Sequence, residues 1–326
     1  MNKFAKQLLP FCSLVFIISL WTFLEPDTFL SLRNFENVLS RSSINGIMAA
    51  GMTYVIITAG IDLSVGSMLA ICGMAGSISM LVFSGASWEQ ISGGQYIPLS
   101  ASAMIVGTLA SVVAGGLCGF VNGMLITHLK LAPFIVTLGT MSIFRGLSYL
   151  SNDGKPFAVH DYSWLDTGNI AGIPSAVVLL FLVLVAAGFV LKYTRFGRYT
   201  YAIGSNVDTA FHAGISVKSV LVAIYAMTGA FVGLAAMIAT SRASTAQPTA
   251  GLTLELDIIA AVIIGGCSPT GGRGFMMGTV IGVLLISFLR NGLTLLDIST
   301  NVQLVIIGAI IVLAVTADQI ATRRET

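Results

Sequence analysis

Long apolar runs broken by short polar stretches fill almost the whole chain. A helix that crosses a bilayer needs about 20 mostly apolar residues. The runs predict ten crossings, at about 8–24, 44–59, 63–83, 97–127, 131–150, 172–191, 219–240, 254–266, 274–290 and 302–317. The stretch 97–127 suits one tilted helix with interfacial ends. The stretch 254–266 is too short to cross alone. Glu25, Pro26 and Asp27 follow the first run with no small-residue cleavage site, so it reads as a retained span rather than a signal peptide. The expected fold class is therefore all-α: one polytopic transmembrane domain over 1–326, with 192–218 as a loop inside it.

Composition agrees with the pattern. Of 326 residues, 56% are apolar and 9% are charged, against about 25% charged in a soluble domain. A water-soluble sphere of this size needs a larger polar shell. A soluble enzyme, a nucleic-acid binder and a disordered chain are excluded. The net charge of +2 suggests no nucleic-acid partner.

Ten crossings put both termini on one side. Basic residues favour the cytoplasmic side. With the N-terminus inside, the inner segments hold Lys3, Lys6, Lys130, Lys192, Arg195, Arg198, Lys218, Arg273, Arg323 and Arg324, most of the 16 Lys and Arg. The count thus predicts both termini in the cytoplasm.

Two segments carry glycines four apart: Gly115, Gly119 and Gly123, then Gly274, Gly278 and Gly282. Such stripes let helix backbones touch. They stand in matching places if spans 2–5 and 7–10 are two repeats of opposite topology, a common transporter plan.

Polar residues at membrane depth are costly and mark candidate paths. Asp62 lies among Thr58, Gly60, Ser64 and Gly66, where glycines interrupt the helix. It can cap the following helix or line an aqueous path. Glu255 and Asp257 open the short eighth segment, after an uncharged polar loop, Ser244 to Gly251, that includes Gln247. That loop can be an ordinary connection, or it can re-enter the membrane beside a cavity. Asn122 and Asn291 fit either helix–helix hydrogen bonding or the path. Cys12, Cys72, Cys118 and Cys267 have no metal or disulfide spacing, and His128, His160 and His212 form no cluster. No metal site, cofactor or catalytic grouping is expected.

The stretch Lys192 to Lys218 is the longest and most basic inner connection. Asn206 suits an N-cap, Asp208 a first turn and Gly214 a C′ position. The short helix between them, with Phe211 and His212, reads as a docking element or as a helix lying on anionic lipid. No G-x-x-x-x-G-K-[ST] exists, and Gly271-Gly272-Arg273-Gly274 is a turn rather than a phosphate cradle. If ATP drives this protein, another subunit binds it.

Several ordered stretches resemble the membrane permeases of ribose-type simple-sugar ABC importers. They are Ala50-Gly51-Met52-Thr53 leading to Ile61–Ser67, then Thr194–Tyr199, Ala202–Asn206 and Ala213–Ile215, then Ser244–Gly251, Glu255-Leu256-Asp257, Ala260-Ala261-Val262 to Gly265-Gly266, and Asn291-Gly292-Leu293. The resemblance covers nearly the whole chain. It departs at Cys267 and Pro269, where the family commonly has Thr-Ser-Leu between its glycine pairs, which bears on the local turn.

The resemblance implies a vitamin-B12-importer-like (type II) permease fold, a second permease chain as homodimer or heterodimer, a cytoplasmic ABC ATPase, and a periplasmic or lipid-anchored sugar-binding protein. It implies that Arg195, Gly197, Arg198, Asn206, Asp208, Phe211, His212 and Gly214 contact the ATPase. The expected activity is translocation of ribose or a related monosaccharide by alternating access, with no enzymatic step in this chain. The substrate-path candidates are Thr58, Asp62, Ser64, Asn122, Gln247, Glu255, Asp257 and Asn291. The competing reading is an ion-coupled secondary transporter of a small polar solute, with Asp62, Glu255 or Asp257 as the ion site.

Overall fold

The computed structural model describes residues 3–323. Arg324, counted above among the inward basic residues, lies outside them, as do the side chains of Lys3, Lys6 and Arg323. In chain order the elements are α1 (Lys3–Leu24), α2 (Pro26–Phe29), α3 (Leu32–Ile57), α4 (Val65–Phe83), α5 (Trp88–Ser92), α6 (Ala101–His128), α7 (Pro133–Leu150), β1 (Phe157–Ala158), α8 (Trp164–Thr167), β2 (Asn169–Ile170), β3 (Ile173–Pro174), α9 (Ser175–Tyr193), α10 (Arg195–Ser205), α11 (Val207–His212), α12 (Val217–Ala243), β4 (Thr245–Ala246), α13 (Leu254–Ile264), α14 (Met276–Leu295) and α15 (Thr300–Arg323).

Each of the ten apolar segments carries a helix. By length and composition, α4, α6, α9, α12 and α14 are able to cross a membrane, while α1 and α15 contain shorter apolar stretches, Pro10–Leu24 and Thr300–Leu313. Helix α3 begins well before the apolar run at 44, because Ser31 caps a polar first half by accepting from the Asn34 N–H at 3.3 Å. Helix α10 is invisible to a search for apolar runs because it is amphipathic. Thr194 starts it by accepting the Gly197 N–H.

The helices gather into two compact units. One joins Ile61–Val183 to Ser216–Glu255, and its centre is α4, α6 and α12. The first glycine stripe performs as the spacing implies. A Cβ on Gly115 would strike the Gly229 carbonyl, one on Gly119 the Tyr225 carbonyl, and one on Gly123 the Val222 backbone. Gly229 and Gly233 of α12 return the contact against Gly115 and Ser111. The Ser111 hydroxyl donates to the Gly233 carbonyl at 2.8 Å. Gly76 and Gly107 bring α4 and α6 together in the same way. Ile105, Leu109, Val113 and Leu117 form an exposed apolar stripe on α6. That division suits glycine against protein and branched chains against lipid. Strands β1 and β4 pair antiparallel in this unit, as do β2 and β3. Tyr96, between α5 and α6, donates its hydroxyl to the Asp161 carboxylate at 3.0 Å, which raises that phenol above its ordinary value.

The other unit contains the chain up to Gly60, Leu184–Ile215 and the chain from Leu256 on. Helix α14 packs on α3, with the Thr53 and Thr279 hydroxyls hydrogen-bonded at 2.7 Å. It meets α13 where Gly278 faces the Gly265 backbone and Gly282 the Ala261 carbonyl. Gly274 departs from the expected stripe. It precedes α14, and a Cβ there would crowd Cys267.

Gly119→Ala is expected to destabilise the purified chain by about 1–3 kcal/mol, since the new methyl overlaps a backbone carbonyl with no flexible atom to move. Gly139→Ala, which faces open space, serves as the control. Thermal unfolding in detergent that lowers both variants equally would remove the special role of the α6–α12 contact.

Candidate functional site

In the unit centred on α6, the polar loop before α13 is held from several sides. Ser244 takes a left-handed conformation, with φ 52°, and accepts the Val159 N–H at 3.0 Å. Arg145 of α7 then donates to the carbonyls of Pro248 and Ala250, both at 2.7 Å. Gly251 lies against the backbone of Gly66 in the first turn of α4, and Glu255 closes over the same glycine. Only glycine allows this approach. Arg145 also feels the Glu255 carboxylate. An uncharged loop thus has its carbonyls answered by a cation.

The folded-back loop closes a cavity of about 120 Å³ against α4 and α12. Ala70, Gly73, Ala236 and Ala239 give it small apolar walls, and Thr240, Thr245 and Gln247 supply hydroxyl and amide groups. No charged residue lines it. Of the sequence candidates, Gln247 is the one that reaches this cavity.

Three other candidates meet elsewhere in the same unit. Asp62 Oδ1 accepts the Ser64 N–H at 2.9 Å and the Ser64 hydroxyl at 2.6 Å. Asn122 donates its amide to the Ser64 hydroxyl oxygen at 2.9 Å. Asp62, Ser64 and Asn122 are wholly buried. Asp62 therefore shapes the turn leading into α4. It does not answer an N–H within the helix itself.

The remaining candidates lie in the other unit and have separate partners. Asp257 of α13 is gripped by Arg290 of α14 through two oxygens, Nε to Oδ2 at 2.7 Å and Nη2 to Oδ1 at 2.8 Å. The Nη2 contact is a hydrogen bond and the Nε contact a close ion pair, so the buried carboxylate has its counter-charge beside it. Asn291 exchanges amide hydrogen bonds with Asn34, at 2.7 and 3.1 Å. Thr58 caps α3 and donates to the Val55 carbonyl at 2.8 Å. Arg145 and Asn34 were not among the sequence candidates. Their partners are far along the chain, so spacing carried no signal for them.

The basic connection forms two helices. Asn206 caps α11 by accepting the Thr209 N–H at 2.8 Å, and Gly214, with φ 81°, follows the helix end at Ala213. Arg195, Arg198, Asp208, Phe211 and His212 are exposed, and Phe211 retains 66% of its surface. Gly197 is buried instead, pressed on the Leu191 carbonyl. Helix α10 is anchored where Gly204 meets the Ile57 carbonyl and Tyr201 donates to the Gly274 carbonyl at 2.7 Å. Gly272 also donates to the Ile57 carbonyl, at 2.8 Å. Gly266, Gly271 and Gly272 take positive φ in this turn, so it tolerates Cys267 and Pro269 between its glycines.

Helices long and apolar enough to cross a membrane, joined through glycine backbones and carrying an apolar outer stripe, define a polytopic membrane protein. Residues 34–315 match the family model described as the permease component of a branched-chain amino acid transport system, and the chain belongs to that family. It is 42% identical to the ribose import permease protein RbsC of Bacillus subtilis over 318 residues, covering 96% of this chain and 93% of the relative. It is 38% identical to the Haemophilus influenzae protein of the same name, covering 97% and 94%. It is 33% identical to the D-allose transport system permease protein AlsC of Escherichia coli, covering 96% and 91%. No solved structure matches the chain.

Asp257→Asn is expected to lower stability by about 3 kcal/mol, because it leaves the Arg290 guanidinium without its counter-charge. Adding Arg290→Gln should recover part of that loss. A double-mutant cycle by thermal unfolding with no coupling between the two sites would dismiss the pair as a structural tie.

Proposed function

We propose that this chain is the membrane-spanning permease of an ATP-driven simple-sugar importer, with ribose the first substrate to test. The ribose permease relatives, 37–42% identical over at least 94% of this chain, carry the reading. The cavity supports it. A neutral polyol needs hydroxyl and amide partners between small residues, and a charged well would be wasted on it. The amino-acid description of the family model fits less well, since a zwitterion calls for charged partners and the cavity lining offers none.

The proposal includes ten crossings, both termini in the cytoplasm, and a vitamin-B12-importer-like arrangement acting as one permease domain. The pairing of helices favours two repeats. In one unit α6 packs on α4 and α12, and in the other α14 packs on α13 and α3. Exchanging spans 2–5 with 7–10 converts the first set into the second. Each unit thus takes its first helix from the opposite repeat.

Two such permease chains, an ABC ATPase and an extracytoplasmic sugar-binding protein complete the proposed importer. ATP binding closes the ATPase subunits. Helices α10 and α11 receive that movement through Arg195, Arg198, Asn206, Asp208, Phe211, His212 and Gly214, and Gly197 keeps α10 tight on its neighbour. The anchor at Ile57 and Gly272 passes the movement to α3 and to the turn before α14. Gln247 lies on the sugar path, and the loop through Glu255 gates it. Asp62, Ser64 and Asn122 brace the helices of the same unit as Gln247, and Thr58, Asp257 and Asn291 brace those of the other.

Proteoliposomes containing the permease, ATPase and binding protein are expected to accumulate ribose only with ATP. Uptake by this chain alone under a Na⁺ or H⁺ gradient would instead establish the ion-coupled reading. Phe211→Arg should cut ATP-dependent uptake at least about tenfold while leaving unfolding temperature unchanged, because the side chain is exposed. Undiminished uptake would remove α11 from the coupling path.

A further inference from the structure

The polar cluster around Asp62 contains an imbalance that sugar transport does not explain. Ser64 has one hydroxyl hydrogen and gives it to Asp62 Oδ1. Its oxygen must therefore accept from the Asn122 amide, which fixes the Asn122 orientation. Three oxygens are then left without partners: Asp62 Oδ2, Asn122 Oδ1 and the Tyr225 hydroxyl. All three residues are at most 1% exposed.

The three belong to one neighbourhood. Tyr225 sits on α12 where its carbonyl touches Gly119 and its Cβ faces Gly123, so Asn122 lies within the same turn of α6. Asp62 is the charged group that Tyr225 feels. A buried carboxylate without a counter-charge is strongly unfavourable. The N-terminus of α4 supplies only about half a positive charge.

We propose that Asp62, Asn122 and Tyr225 hold one dehydrated monovalent cation, with Na⁺ as the working ligand, between the lead-in to α4 and helices α6 and α12. A hard cation takes oxygen ligands, and an anionic oxygen beside neutral amide and hydroxyl oxygens is the set it prefers. The cation answers all three orphaned oxygens and the charge together. A proton on Asp62 answers the same oxygens only if the Tyr225 O–H turns to donate as well, and it removes the charge instead of pairing it; a water supplies no charge. The ion ties the broken start of α4 to the glycine-packed pair α6–α12. The proposal goes beyond the importer reading and does not depend on which solute is carried.

The test uses the purified full-length chain in neutral detergent, with NaCl exchanged for choline chloride at constant ionic strength and at several pH values. Na⁺ is expected to raise the unfolding temperature by about 2 °C for each tenfold increase above half-saturation, and choline to leave it flat. Asp62→Asn should abolish the response. Tyr225→Phe, which removes one oxygen and keeps the packing, should demand severalfold more Na⁺, and it decides the matter if Asp62→Asn does not fold. Equal unfolding temperatures in NaCl and choline would overturn the proposal. So would a response to pH without a response to Na⁺, which would assign the positive charge to a proton. A Na⁺ response unchanged in Tyr225→Phe would overturn the assigned ligand set.

Discussion

Backbone-to-backbone contact between helices is the constraint on which the other features depend. In lipid, apolar side chains gain little by leaving the solvent, so helices associate through close packing. Glycine permits the closest approach. Gly115, Gly119 and Gly123 on α6 meet Gly229, Tyr225 and Val222 on α12 at main-chain distance. Once those two helices are fixed, α4 follows through Gly76 and Gly107. The small cavity then lies between α4 and α12, and its walls are small because the approach demanded small residues nearby.

The same device recurs outside the α6–α12 pair. Gly66 and Gly251 let the loop before α13 lie on the start of α4, and Gly204 lets α10 press on the end of α3. Each contact is rigid, since no flexible side chain intervenes. Helix α10 is thereby held firmly against α3 and the turn before α14. Charge is used differently. Arg145 and Arg290 each spend their donors on groups distant in the chain, a loop's carbonyls in one case and a buried carboxylate in the other.

Much of this was legible beforehand. The apolar runs located ten helices because hydropathy depends on composition over a window. The α11 helix was readable from Asn206, Asp208 and Gly214 because capping is local chemistry. The α10 helix was not, since an amphipathic helix among basic residues leaves no apolar run. The path candidates separated: Thr58 caps α3 and Glu255 lies over Gly66. Asp62, Ser64 and Asn122 converged in one buried cluster, Gln247 reached the cavity, and Asp257 and Asn291 became helix ties.

Sequence alone determined that the chain lives in a membrane, where its helices run, which stretch carries the short capped helix, and which family it joins. These properties follow from composition, local capping and ordered motifs. Tertiary structure decided what each polar side chain faces. Asp257 meets Arg290 and Asn291 meets Asn34 only because α13, α14 and α3 pack together. The orphaned oxygens of Asp62, Asn122 and Tyr225 have the same origin. A hydrogen bond needs its partners within about 3 Å, and residues far apart in the chain reach that distance only when helices pack.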